Sequence, residues 1–197
     1  MIEQKIRRIR HKLANHQPVP PPLEASTHAA VAMLLQPQDH DLHMLFIHRA
    51  HHPQDPWSGH MAFPGGRQDP EDADLRGTIH RETKEEVGID LGLHGEYLGR
   101  MAALQAMARG RPISMAVAPF IYLVSPEATP TPDPVEVQDT IWVPLEFMQR
   151  DGVERVVTRP MPEGTTIEVP ALVYGGKTIW GLTYRLLQGF LELISEK

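Results

Sequence analysis

The sequence predicts an α+β fold, in which strands build a sheet and helices cover it as an α/β/α sandwich. Two observations lead to this prediction. Short apolar runs of strand length, bounded by Pro, Gly and polar residues, recur along the chain. Apolar residues at helical spacing occur at separate points before, between and after these runs. The fold class therefore follows from the order of the elements and not from any single one.

The composition indicates a globular protein with one main domain. The chain has 197 residues, of which 41% are hydrophobic, and its net charge is −6. A protein that binds duplex nucleic acid is normally basic, so we expect no such partner. There is no cysteine, which excludes disulfides and thiolate chemistry, and no apolar run has the length of a membrane span. These features predict a cytoplasmic protein without a membrane span.

Residues 1–17 are predicted to form an amphipathic helix that extends from the domain at residues 27–197. Four apolar residues recur at helical spacing in this segment: Ile2, Ile6, Ile9 and Leu13. The prolines in the linker at residues 18–26 are expected to be stiff and to space the helix from the domain. The apolar stripe is expected to pack on the domain or on a second subunit, so a homodimer is possible. Membrane contact by this basic helix is the less favoured alternative.

The domain is predicted to begin with a β-hairpin. Ala29–Leu35 suits a buried strand, and Leu42–His48 suits its partner after a polar break. Residues 49–59 are polar and rich in His, Pro and Asp, which is typical of a loop.

A helix is predicted to follow the turn at Gly65 and Gly66. Its start is indicated by Pro70 and the acidic residues after it, because negative charge is favourable at a helix N-terminus. Gly88 is a natural C-cap for a helix that ends near Val87. The apolar face is expected to lie opposite the carboxylates and to use three residues: Leu75, Ile79 and Val87.

The second half of the chain is predicted to contain further strands and two helical segments. The predicted strands cover Glu96–Ala103, Ile113–Val124, a run from Thr140, and one or two strands within 151–170 with a mobile loop at 160–165. A β-turn is expected at Gly175–Gly176. The helical segments are a short turn at Leu145–Met148 and a longer helix at Trp180–Ile194.

Three carboxylates lie close together on the predicted central helix. Glu82, Glu85 and Glu86 are spaced at i, i+3 and i+4, so they share one helix face and repel one another. A hard divalent cation would turn this repulsion into attraction, since Mg²⁺ and Mn²⁺ prefer carboxylate oxygens. Gly65 and Gly66 allow a ligand or metal to approach the main chain closely. The pattern predicts a metal-dependent enzyme that acts on a phosphate compound.

The segment from Phe63 to Ile89 resembles the Nudix hydrolase box, Gly-x5-Glu-x7-Arg-Glu-U-x-Glu-Glu-x-Gly-U, where U is apolar. The second half of the box matches from Arg81 onward, except that Thr83 occupies an apolar position. The first half is one residue longer than the box, with Asp72 in place of its Glu. This spacing after Phe-Pro-Gly-Gly, and the ending that starts at Ile179, are similar to the coenzyme A diphosphatase branch of the family. The resemblance covers roughly residues 27–195.

The resemblance implies an α/β/α sandwich around a mixed sheet. It also implies an enzyme that hydrolyses a nucleoside diphosphate linked to another moiety. It implies Mg²⁺ or Mn²⁺ as cofactor, which would neutralise the diphosphate and make hydroxide available at neutral pH. The implied metal ligands are Glu82, Glu86 and a backbone carbonyl at Gly65 or Gly66. Glu85 would be a ligand or would position the water. Arg81 would orient a carboxylate.

The resemblance also implies a general base from a later loop, outside the box. Glu136 is the candidate for this role, and Asp139 and Glu127 are alternatives. The residues expected to bind substrate are Arg49, Gly65, Gly66 and Arg67.

The segment before the box departs from the coenzyme A diphosphatase pattern. Arg49 and Gly59 are kept, whereas the Ser, Leu, Arg and His of that pattern are absent and one residue is added. The expected substrate is therefore a small nucleotide conjugate, either coenzyme A-like or another nucleoside diphosphate derivative. The alternatives are a house-cleaning nucleoside triphosphate pyrophosphatase and a non-catalytic nucleotide-binding module.

The same segment contains one tryptophan and several histidines that have no place in the box. Trp57 either stacks on a base or packs in the core. A zinc site is a minor alternative for the four histidines: His48, His51, His52 and His60.

Overall fold

The computed structural model describes residues 2–18, 26–53, 55–108, 111–160 and 164–195. Its helices are α1 (Ile2–Ala14), α2 (Leu75–Val87), α3 (Leu91–His94), α4 (Leu145–Met148) and α5 (Gly181–Ile194). Its strands are β1 (Thr27–Gln38), β2 (Asp41–Arg49), β3 (Met61–Ala62), β4 (Gly65–Arg67), β5 (Gly95–Arg100), β6 (Leu104–Ala108), β7 (Arg111–Val124), β8 (Val137–Pro144), β9 (Glu154–Pro160), β10 (Thr166–Tyr174) and β11 (Lys177–Trp180). None of the described helices is long and apolar enough to cross a membrane.

The main sheet is mixed. Its backbone order is β3-β2-β1-β7-β5, and β4, β6 and β8 pair with β1, β7 and β2 respectively. The β1–β7 pair is parallel and the other pairs are antiparallel. The predicted hairpin is confirmed, since Leu35 of β1 lies opposite Met44 of β2 in an antiparallel register.

A second sheet contains β9, β10 and β11, all antiparallel. Its β10–β11 hairpin confirms the predicted β-turn, because Tyr174 pairs with Lys177 across Gly175 and Gly176. The predicted loop at 160–165 falls largely on residues 161–163, which lie outside the described residues.

Helices cover both faces of the main sheet, which confirms the α/β/α sandwich. Successive residues of β1 point to opposite faces, so a strand buried on both sides is apolar throughout. Ala32 and Leu34 pack with Ile79 of α2 on one face. Met33 packs on the other face in a core that includes Phe190 of α5.

Helix α2 begins at Leu75, a few residues after the predicted start. Asp74 is its N-cap and accepts a hydrogen bond of 2.9 Å from the Gly77 amide. Gly88 is the C-cap, as predicted, with φ of 68°. Its left-handed conformation ends the helix directly after Val87.

The expectation that the carboxylates of α2 lie opposite its apolar face is wrong. Ile79, Thr83 and Glu86 follow the i, i+4, i+7 spacing of one face, and all three are buried. Thr83 thus fills the apolar position of the box inside the core, where its Oγ1 has no hydrogen-bond partner. The side of the helix that faces the sheet therefore carries a carboxylate.

Helix α1 packs directly on the domain, so the expectation that the linker spaces it from the domain is wrong. Ile9 and Leu13 are buried in the core that also contains Phe190 of α5. Lys5 Nζ donates to Asp41 Oδ1 at 2.6 Å at the start of β2. The apolar stripe of α1, for which a second subunit was one expected partner, thus packs on the domain of the same chain. The linker at residues 18–26 falls mostly on residues 19–25, which lie outside the described residues.

Replacing Ile9 with Ala should destabilise the whole domain, because it leaves a cavity between α1 and the core. We expect the free energy of unfolding to fall by about 2–4 kcal/mol, as for other buried Ile→Ala changes. Urea denaturation measures this change. Gln4→Ala, on the exposed side of the same helix, is the matched control and should change stability by less than about 0.5 kcal/mol. Equal effects of the two changes would show that α1 does not belong to the folded core.

Candidate active site

Strand β4 holds the turn of the box against β1. Gly65 has φ of 145°, and a Cβ at this position would lie 2.2 Å from the Ala30 carbonyl oxygen. Only glycine can adopt this conformation so close to a neighbouring strand. The Gly65 amide donates to Glu86 Oε2 at 2.7 Å. The turn therefore fixes the position of a carboxylate that comes from α2.

Gly66 is required for a different reason. A Cβ on Gly66 would lie 2.3 Å from Glu82 Oε1. The absence of a side chain thus lets the Glu82 carboxylate approach the main chain of β4. The two glycines together accommodate two carboxylates of one helix face.

A third carboxylate joins these two from the segment before β8. Glu82, Glu86 and Glu136 each offer an oxygen, and these oxygens lie within 4.8 Å of one another. The Glu136 segment is held on the end of α2 by the Asp133 amide, which donates to the Glu86 carbonyl at 3.0 Å. The Ala50 amide donates to the Glu136 carbonyl at 2.8 Å. Within the described residues this is the one group of three potential metal ligands.

The environment of the three carboxylates favours a bound cation. Glu86 is 2% exposed, and burial raises its pKa to about 8, with the neighbouring Glu82 adding to the effect. Burial also raises the pKa of Glu82, although Arg81 opposes this. Carboxylates crowded in this way need a proton or a cation to offset their charge. Three carboxylate oxygens are the donor set that suits Mg²⁺ or Mn²⁺.

Arg81 connects the acidic residues around the helix. It donates from Nε and NH2 to Asp72 at 3.1 and 2.9 Å. Its NH1 donates to Glu82 at 2.9 Å and to Glu85 at 3.0 Å. Arg81 thus orients the Glu82 carboxylate. Asp72, which takes the place of the box Glu, anchors this arginine.

Glu85 is not part of the three-carboxylate group. Its side chain is 54% exposed and pairs with Arg81 on the outer side of α2. Its role as a metal ligand or as a water-positioning residue stays a prediction.

Of the three candidate bases, the structure brings only Glu136 to the carboxylate group. Asp139 Oδ2 lies 3.3 Å from Lys177 Nζ instead. Glu127 lies in the segment after β7. Its carboxylate accepts hydrogen bonds from its own backbone and from Ser125, and these bonds lower its pKa.

A cavity of about 930 Å³ opens beside the three carboxylates. Its wall includes all four residues expected to bind substrate: Arg49, Gly65, Gly66 and Arg67. Arg49 NH1 lies 3.9 Å from Glu86 Oε1, while its NH2 pairs with Asp55 Oδ2 at 2.6 Å. Arg49 is therefore held close to the three carboxylates, at the end of the cavity that we call the carboxylate end.

Comparison with protein families agrees with this geometry. Residues 26–160, about two thirds of the chain, match the model of the NUDIX domain. The chain belongs to the Nudix family. Membership supports a hydrolase that acts on phosphorus-containing acid anhydrides, and divalent metals are general in this family.

Three similar proteins illustrate the comparison, and the names of these three give no substrate. An uncharacterized Nudix hydrolase, NudL, from Yersinia enterocolitica is 28% identical over 181 residues, which are 91% of this chain and 88% of that protein. An uncharacterized Schizosaccharomyces pombe protein is 47% identical over 60 residues, which are 30% of this chain and only 18% of that protein. A MutT/nudix family protein from Enterococcus faecalis has a similar fold, with a TM-score of 0.57 and 19% identity over 99% of this chain and 74% of its own.

The far end of the cavity in this Nudix protein contains residues that the sequence did not indicate as a site. Arg159 and Ile167 come from the second sheet, and Trp180 comes from the end of β11. Trp57 also lies on this wall, where its Nε1 donates to the Met107 carbonyl at 3.0 Å. Trp57 therefore both packs on the core and faces the cavity. Two of these residues had a signal in the sequence: Trp57 was expected to stack on a base or to pack in the core, and Trp180 belongs to the ending that is similar to the coenzyme A diphosphatase branch.

The histidines of the loop make separate contacts. His48 interacts with the Gly59 carbonyl and Lys177, and His51 interacts with Ser58. The His60 ring lies 4.7 Å from the Trp180 ring. The potential metal ligands brought together in the described residues are carboxylates and not these histidines.

Gly66→Ala should displace the Glu82 carboxylate while leaving the fold intact, because the new Cβ meets the flexible end of a side chain. We expect Mn²⁺ affinity, measured by isothermal titration calorimetry, to fall by about tenfold or more. The matched control is Gly77→Ala in α2, where the nearest atom to the new Cβ is 3.8 Å away. It should keep both Mn²⁺ affinity and the unfolding temperature. Unchanged Mn²⁺ affinity in Gly66→Ala would contradict the close approach described for Glu82.

Asp72→Asn should destabilise the protein at neutral pH but not at strongly acidic pH. The hydrogen bond from Arg81 lowers the pKa of Asp72 to about 2, below the unfolded value of about 3.9. Its stabilising contribution is therefore complete above pH 4 and disappears as the pH falls through about 2. Urea denaturation at several pH values tests this difference between variant and parent. Asp151→Asn, at an exposed turn, should show no such pH-dependent difference.

Proposed function

We propose that this protein is a pyrophosphohydrolase that uses Mg²⁺ or Mn²⁺ and cleaves the diphosphate of a nucleotide conjugate by attack of water. The substrate is either coenzyme A-like or another nucleoside diphosphate derivative, and the protein acts in the cytoplasm. The observation that supports this proposal is the group of three carboxylates within 4.8 Å at one end of a large cavity. The carboxylates supply the metal site, and the cavity supplies room for the rest of the substrate.

The metal is held by Glu82 and Glu86, with Glu136 close by and a backbone carbonyl of Gly66 as a further ligand. When bound, the ion supplies the positive charge that offsets the substrate phosphates, and it lowers the pKa of water. The Gly65 amide holds Glu86 in place through its 2.7 Å hydrogen bond. Arg81 holds Glu82 from the other side at 2.9 Å.

Glu136 accepts the proton of the attacking water. It is the exposed member of the three carboxylates and comes from a different segment, so it can contact solvent and substrate. A carboxylate within reach of a water can act as general base. Arg49 and Arg67 line the same end of the cavity and bind the substrate phosphates, which arginine recognises through paired N–H groups.

The size of the cavity supports a conjugate over a nucleoside triphosphate. Ligand pockets in proteins commonly measure about 300–1,000 Å³, and this one, at about 930 Å³, is at the large end of that range. Its wall includes Trp57 and Trp180 in addition to the carboxylates. A second moiety attached to the diphosphate would fill the part of the cavity that the diphosphate leaves free. The coenzyme A-like substrate stays one candidate among several, since the segment before the box departs from the pattern of that branch.

A substrate panel with active-site variants tests the function. The panel contains coenzyme A, ADP-ribose, nucleoside diphosphate sugars, dinucleoside polyphosphates and dNTPs, compared by kcat/KM with Mg²⁺ or Mn²⁺. Glu86→Gln and Glu136→Gln should lower kcat/KM on the best conjugate by about 10²-fold or more, since each removes a charge from the site. Glu85→Gln, on the same helix, tests the role of Glu85: a loss as large as that of Glu86→Gln would support its role as metal ligand or water-positioning residue, and a smaller loss would agree with its exposed pairing with Arg81.

Three outcomes would overturn parts of this proposal. Full turnover in Glu86→Gln on every substrate would exclude the metal site. The highest kcat/KM on dNTPs would favour the house-cleaning activity. Nucleotide binding without turnover of any panel member would favour a non-catalytic module.

A further inference from the structure

The far end of the cavity contains an arginine whose charge is not neutralised. Arg159 of β9 lies opposite Ile167 of β10, and both line the cavity. The Nε of Arg159 is buried and has no hydrogen-bond partner. Buried polar groups without a partner are uncommon, and a charged donor left in this state is costly. Nε itself is closed to solvent, so a ligand in the cavity would bond to the end of the guanidinium group, which is held in place on this buried stem.

The contact that Arg159 does make leaves its charge available. Its guanidinium carbon lies 5.1 Å from the centre of the Trp180 ring. An aromatic face attracts and orients a guanidinium but does not cancel its charge. No carboxylate of the described residues forms an ion pair with Arg159, whereas Arg49 pairs with Asp55 and Arg81 pairs with Asp72.

Arg159 lines the same cavity as the carboxylates, and a series of contacts along the wall connects it with them. The His60 ring packs on Trp180 at 4.7 Å. The Arg49 amide donates to the His60 carbonyl at 3.0 Å, and Trp180 contacts the Arg159 guanidinium. Arg49 in turn lies 3.9 Å from Glu86. The wall thus runs from the carboxylates through Arg49 and His60 to Arg159.

We propose that Arg159, oriented by Trp180, binds a second phosphate group of the substrate, outside the diphosphate that is cleaved. This inference rests on the proposed function, because it assumes that the diphosphate binds at the carboxylates. A planar guanidinium recognises phosphate through two parallel hydrogen bonds. Arg185, which is exposed and lines the same cavity, adds positive charge to the cavity wall. The preferred substrates are therefore nucleotide conjugates with a phosphate monoester on the ribose.

The kinetic test uses pairs of substrates that differ only in this phosphate. One pair is coenzyme A and 3′-dephospho-coenzyme A, and the other is 2′-phospho-ADP-ribose and ADP-ribose. For at least one pair, the phosphorylated member should have a kcat/KM at least about tenfold higher than its partner. The difference should come mainly from a lower KM. Arg159→Gln should reduce this ratio to less than about threefold and leave kcat on the unphosphorylated member unchanged. Arg159→Lys should recover part of the ratio, because it keeps the charge but not the paired geometry.

A binding test separates this inference from the proposed function. Isothermal titration calorimetry without divalent metal compares adenosine 3′,5′-bisphosphate, adenosine 2′,5′-bisphosphate and AMP. At least one bisphosphate should bind about tenfold or more tightly than AMP, and Arg159→Gln should remove this preference. The matched control is Arg155→Gln on the same strand, where the arginine bonds only to the Gly152 and Glu154 carbonyls. This control should keep the preference.

The two tests fail in different ways. If no conjugate is hydrolysed but the bisphosphate preference depends on Arg159, the proposed function is wrong and the phosphate subsite stands. If conjugates are hydrolysed and AMP binds as tightly as both bisphosphates, the subsite is wrong. A preference that survives in Arg159→Gln, with an unchanged unfolding temperature, would also overturn it.

Discussion

The close approach of α2 to the main chain of β4 determines the rest of the site. Glu86 is almost completely buried, yet it belongs to a face of α2 that otherwise packs on apolar residues of the sheet. Such a carboxylate is tolerated because the Gly65 amide bonds to it and because a cation can offset its charge. Gly65 in turn keeps its conformation because β4 pairs with β1. The three-carboxylate group, the glycine turn and the β4–β1 pairing are therefore one structural unit.

The parts of this unit that were predictable are local in the sequence. The hairpin, the end of α2 at Gly88 and the three glutamates at helical spacing all depend on residues a few positions apart. The burial of Glu86 was not predictable in this way, because the buried face of a helix is decided by the elements that cover it. Thr83 illustrates the same point, since a polar residue at a fully buried position interrupts the apolar pattern. The sequence suggested Glu136 only through a family resemblance, because contacts with the end of α2 bring it to the site.

The N-terminal helix shows a second limit of reasoning from composition. Several prolines predict a stiff linker, but stiffness does not determine where the segment beyond the linker packs. The position of α1 depends on contacts with distant residues, namely Lys5 with Asp41 and Arg10 with Glu96. Burial raises the pKa of Asp41, but hydrogen bonds from Lys5 and the Glu146 amide outweigh this and lower it. Asp41 thus connects α1, β2 and the start of α4, which no local pattern indicates.

The two ends of the cavity have different origins in the chain. The carboxylate end is built mainly from the box, whereas the far end is built from β9, which forms the last residues of the matched family region, and from β10 and β11, which follow that region. Contacts far from the reacting atoms can contribute binding energy that positions a substrate for reaction. Substitutions in the second sheet can therefore alter which conjugate is preferred. The hydrolytic chemistry at the box would stay the same. For this reason the box supports the reaction strongly, whereas the choice of substrate is proposed to depend on residues such as Arg159 and Trp180, which line the cavity outside the box.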